Sequence, residues 1–121
     1  AMDDELKFAG LMVAPEVVET IIRLAVEKVE GVASVGVPSE LNGMFSFLSP
    51  RKPQAAVPGV CVQVEGESLR ISVHVTVFFG YPFVTLADEV RTAVASSISS
   101  QVGAEITGVD VFIDALVFPK E

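Results

Sequence analysis

Few side chains in this sequence could carry chemistry, and their spacing limits what that chemistry could be. His74 is the single histidine, set in Ser72-Val73-His74-Val75-Thr76. Histidine is the usual general base because its proton comes and goes near working pH. In an alternating run it shares a face with Ser72 and Thr76, and Asp110 or Asp114 could orient it from across a sheet. That outlines a serine–histidine–acid arrangement. A hydrolase of this kind also needs an oxyanion turn, and no glycine-rich turn of that type is present, so His74 reads first as a histidine on a polar face. Asp110 and Asp114 stand four apart, which on a strand means about 13 Å. That is too far for paired-carboxylate acid–base work. Cys61, the single cysteine, could neighbour His74, but one thiol and one imidazole fall short of the three or four ligands of a zinc site. No glycine spacing matches a P-loop, a dinucleotide fingerprint or a Gly-x-x-Gly clamp. Ser96, Ser97, Ser99 and Ser100 fit a small polar helix face. The sequence therefore implies no catalytic, cofactor-binding or metal-binding residues, and a protein that is not an enzyme.

The elements that would hold these residues are legible from periodicity. Phe8–Val13 reads as a short first strand, weakened by Gly10. Pro15 suits the first position of a helix. From there to Val29 the residues Val17, Val18, Ile21, Ile22, Leu24, Ala25, Val26 and Val29 recur at helical spacing. Glu19 and Arg23 are spaced to pair along that helix, and Gly31 ends it. Val32–Val37 reads as a strand. Val60–Glu65 and Leu69–Val77 alternate with period two around a turn at Gly66, which makes an antiparallel hairpin. Its inward set is Val60, Val62, Val64, Leu69, Ile71, Val73, Val75 and Val77. Thr85, with Asp88 three residues on, suits the cap of a second helix buried through Phe83, Ala87, Val90, Val94 and Ile98. Gly103 closes it, and Glu105–Phe118 forms a last strand. The order β-α-β-β-β-α-β implies an α+β fold: one domain over residues 1–121, with a mixed sheet and two helices packed on one face.

Composition sets the remaining bounds. The chain has 121 residues, half of them hydrophobic, and a formal charge of −8. It is too apolar to be disordered and long enough for a single core. An acidic chain repels the phosphate backbone, so a nucleic-acid-binding adaptor, the alternative reading, is disfavoured. Anionic membrane surfaces are disfavoured for the same reason. One thiol cannot close an internal disulfide, the acidic N-terminal residues do not resemble a secretory leader, and no apolar run reaches the length of a membrane span. These features point to a cytoplasmic protein without direct membrane insertion.

Two apolar groups are left over once the core is assigned. Strict alternation along the last strand sends Phe112, Leu116 and Phe118 to the face opposite the helices, and Phe78 joins them from the hairpin. An exposed apolar patch of this kind marks an interface, here for self-association or for docking a partner. The segment 38–58 holds four prolines yet also carries Met44, Phe45, Phe47 and Leu48, which a solvated linker would not. It reads as a long loop that either docks on a partner or folds back onto its own domain.

The run Val13-Ala14-Pro15-Glu16-Val17-Val18-Glu19-Thr20-Ile21-Ile22, continuing to Val29-Glu30-Gly31-Val32, resembles the opening helix of the bacterial alkaline-shock-protein (general-stress) family. The resemblance resumes at Gly59-Val60-Cys61-Val62-Gln63-Val64 and ends at Val109-Asp110-Val111-Phe112-Ile113. It covers nearly the whole chain outside 38–58. Pro58 and Asp110 depart from the Lys and Asn usual in that family. The resemblance implies a small non-enzymatic cytoplasmic protein of Gram-positive bacteria. Such a protein would support cell-envelope homeostasis under stress, self-assemble, and associate with the membrane through an anchoring partner protein.

Overall fold

In a computed structural model the structure describes residues 6–8, 11–36 and 57–118. The elements are β1 (Leu6–Phe8), β2 (Leu11–Val13), α1 (Pro15–Glu27), β3 (Val32–Val35), β4 (Val60–Glu65), β5 (Ser68–Phe78), α2 (Phe83–Gln101) and β6 (Glu105–Val117). This is the α+β order expected, with one addition. The first strand is two, β1 and β2, paired antiparallel as a separate small sheet with Phe8 opposite Leu11.

β5 organises the main sheet. One of its sides pairs antiparallel with β4 over Ser68–Val73 and with β3 over Val75–Val77, so β3 and β4 follow each other along the same edge. Its other side pairs parallel with β6, the connection running through α2. The sheet is therefore mixed. Leu69, Ile71, Val73, Val75 and Val77 of β5 point to one face and meet Val18, Ile22 and Val26 of α1 and Leu86, Val90, Val94 and Ile98 of α2. Both helices thus lie on one face. The strand alternation and the helical stripe meet in a single core, which stabilises by roughly 25 cal/mol for each Å² of apolar surface removed from water.

The structure differs from the sequence reading at four local points. α2 begins at Phe83, capped only by the backbone at Pro82 and without a side-chain cap from Thr85. Leu86 takes the buried place assigned to Phe83, which is half exposed. Arg23 pairs with Glu27 at 3.1 Å, while Glu19 is turned inward and buried. On the hairpin Val64 is also half exposed, because it lies past the end of helix cover.

Among the described residues, the outer edge of β6 has no strand partner. Arg91 of α2 reaches down and donates from Nε to the Val109 carbonyl at 3.3 Å. A charged side chain on a free strand edge discourages uncontrolled pairing there.

Candidate protein-interaction surface

The face of the sheet away from the helices carries Cys61 and Gln63 from β4, Arg70, Ser72, His74 and Thr76 from β5, and Asp110, Phe112 and Asp114 from β6. Pleating fixes this set, since every second residue of β5 is committed to the core. The charged groups on it satisfy one another. Arg70 Nη2 donates to both carboxylate oxygens of Asp110, at 3.0 and 3.2 Å. Both side chains are about half exposed, so the pair contributes at most about 1 kcal/mol. His74 Nδ1 lies 2.7 Å from Asp114 Oδ2.

The His74 ring also stacks on Phe112, with centroids 4.5 Å apart and planes 9° from parallel. Such stacking adds roughly 0.5–1.5 kcal/mol. Register places the two residues directly across β5 and β6. The anticipated approach of an acid to the histidine is thus real, through Asp114, whereas Asp110 goes to Arg70. Thr76 is fully buried and gives its hydroxyl to the Gly36 carbonyl at 2.9 Å. Ser72 pairs across the hairpin with Cys61, an exposed free thiol. Among the described residues no group of three or more His, Cys, Asp or Glu is arranged to hold a metal. A shallow groove of about 360 Å³ runs between α1 and α2, past Leu24, Lys28, Ser96 and Ser97, on the far side of the sheet from His74.

The His74 backbone ties together the described residues on either side of segment 37–56. Its N–H donates to the Gly59 carbonyl at 2.8 Å, and its carbonyl accepts from Gly36 N–H at 2.7 Å. Gly59 has φ of +88°, and a Cβ there would sit 2.6 Å from Gly36 N. Only glycine allows the two strands of the loop's root to lie so close. Met44, Phe45, Phe47 and Leu48 lie outside the described residues. Val57, at the loop's return, is buried against the core, and its backbone hydrogen-bonds the Glu19 carboxylate.

Of the sheet residues singled out from the sequence, Phe112 is 44% exposed beside His74, and Phe78 is half-buried. Leu116 requires a correction. The register runs from Val75–Ile113 directly to Thr76–Ala115, so Asp114 is an extra residue in β6. A bulge of this kind reverses the alternation after it. Leu116 then falls level with the core-side Val77, out of the row of Phe112, and remains exposed because it lies where helix cover ends. Phe118 follows it and packs on Phe79, with ring centroids 5.2 Å apart. Phe79 was missed by the sequence reading, as were the exposed Phe83 and Val84 at the start of α2. The signal was there in the sequence: an apolar run continues past the last residue that the helices can cover.

This sheet, helix order and family-like opening helix agree with a direct match. The sequence profile of the alkaline shock protein 23 family, described as having a cell envelope-related function, matches residues 5–118. The chain belongs to that family. No curated protein matches its sequence significantly. Solved structures of the MamM CTD are similar in fold at low identity. A structure of MamM CTD residues 215–293 shares 19% identity and a TM-score of 0.48, covering 83% of this chain and 96% of that one. A manganese form has 20% identity and a TM-score of 0.48, with coverage of 83% and 96%. A nickel form has 19% identity and a TM-score of 0.48, again covering 83% and 96%. Among the described residues of this family member, no helix is long and apolar enough to cross a membrane.

Proposed function

We propose that this family member is a non-enzymatic interaction module of envelope maintenance, working in the cytoplasm through self-association or by docking on a membrane-anchored partner protein. The observation that carries this reading is the outer sheet face. On it Arg70 pairs with Asp110 and His74 with Asp114, while Phe112 stands partly exposed among them. A surface whose charges are internally compensated and whose aromatic group is open is suited to burial against protein. Family membership supports the envelope setting.

The test is complementation of a host lacking the protein, grown under envelope stress. His74→Gln keeps a hydrogen-bonding side chain of similar size and removes the base, so it should restore growth as the wild type does. Phe112→Asp should fold and fail to restore growth. Loss of function in His74→Gln with full function in Phe112→Asp would reverse the reading in favour of catalysis.

A further inference from the structure

Among the described residues the apolar surface is most concentrated at one end of the sheet, where β5 and β6 finish and α2 starts. Leu116, Phe118 and Phe79 continue the helix-side register there, and Phe83 and Val84 open the first turn of α2. Their exposures lie between 44% and 76%. Among the described residues, the strand ends and the turn that form this end carry no charged side chain. No Asp, Glu, Lys or Arg occurs from Ile71 to Ala87 or from Ala115 to Phe118. Glu30, which reaches towards it, accepts a hydrogen bond from Tyr81 OH at 3.2 Å. The opposite end of the sheet is acidic, with Glu65 and Glu67 at the β4–β5 turn and Glu105 at the start of β6.

We infer that this end is the contact between two copies of the chain, joined end to end about a two-fold axis. The inference rests on the interaction-module reading above and names its partner as a second copy. Two arguments select that occupant. The first is area. Aromatic side chains bring roughly 150–250 Å² each, so the five residues expose on the order of 500 Å². Doubled across a symmetric contact, this reaches the roughly 1,000 Å² that a specific interface needs. The second is charge. Two copies at −8 repel each other at most approaches. Head-to-tail packing would strip water from Glu65, Glu67 and Glu105 without giving them a counter-ion. The ends that carry Phe79 and Phe118 meet at the least such cost, and like surfaces meeting make a closed, isologous pair.

Sedimentation velocity over a dilution series from low to several hundred micromolar tests this. The wild type should pass reversibly from monomer to dimer, and more tightly at high salt, where repulsion is screened. Phe118→Asp and, separately, Phe79→Asp should weaken the dimer by about tenfold or more with circular dichroism unchanged, while Phe112→Asp should leave it intact. A wild type that stays monomeric throughout overturns the inference, as does a dimer indifferent to both end variants or one lost equally in Phe112→Asp. The complementation result stands apart from this readout, so failure of the end-to-end contact and failure of the module reading are told apart.

Discussion

Glu19 is a carboxylate turned into the helix–sheet interface, and replacing it should make the protein more stable. The side chain is only 8% exposed, and Oε1 has no hydrogen-bond partner. Burial raises its pKa above the usual 4.5; the hydrogen bond from the Val57 backbone opposes the rise, and the nearby Glu16 charge adds to it. The folded state therefore holds this proton more tightly than the unfolded chain does. The group's stabilising contribution is complete below about pH 4.5 and is lost as pH rises through the raised folded value. At neutral pH the charged form is a net cost. Glu19→Gln keeps an acceptor for the Val57 N–H and removes the charge, though its Nε2 inherits the unpartnered position. A buried polar atom without a partner costs about 1–3 kcal/mol. A charged atom in that position costs more than a neutral one, and the variant removes only this excess, about 1 kcal/mol, or about 3–6 °C in Tm for a chain of this length. Thermal unfolding of both proteins from pH 4.5 to 8 is the assay. The gap should be widest at pH 8 and close towards pH 4.5. A destabilised variant at neutral pH, or a gap that does not change with pH, would refute the reasoning.

Two further substitutions probe the frame beneath the surface. Gly59→Ala sets a Cβ against Gly36 N at a position with φ of +88°. It should cost about 2 kcal/mol or more, with hydrogen exchange at Gly36 and His74 rising before that of α2. Ile71→Ala opens a cavity at a fully buried site between β5 and the helices. It should lower denaturant stability by about 2–5 kcal/mol with an unchanged m-value.

The fold was legible wherever one period dominated. Pro15 and the apolar stripe to Val26 announce α1, and the alternation from Leu69 to Val77 announces the core side of β5, because each pattern maps onto one buried face. Glu19 was misread as a surface partner of Arg23. α1 is covered over a broad arc, including the loop's return at Val57, and no local pattern encodes that long-range contact. The start of α2 was displaced because Thr85 and Asp88 look like caps, whereas the backbone at Pro82 serves and the helix gains three residues. Phe112 and Asp114 could be placed beside His74 by parity alone. Leu116 could not, since the bulge at Asp114 is a property of the β5–β6 pairing and leaves no mark in the β6 sequence.

Phe79, Phe112 and Phe118 are exposed among the described residues, and the proposed interaction surface requires them to stay open to another polypeptide in the whole protein. Hydroxyl-radical footprinting of the protein at high dilution, read residue by residue by mass spectrometry, measures this directly. The account predicts strong oxidation of all three phenylalanines, with Phe118 foremost at 71% exposure, and protection of Ile71 and Leu86. Protection of the three phenylalanines in the dilute monomer, to the level of those core residues, would contradict it.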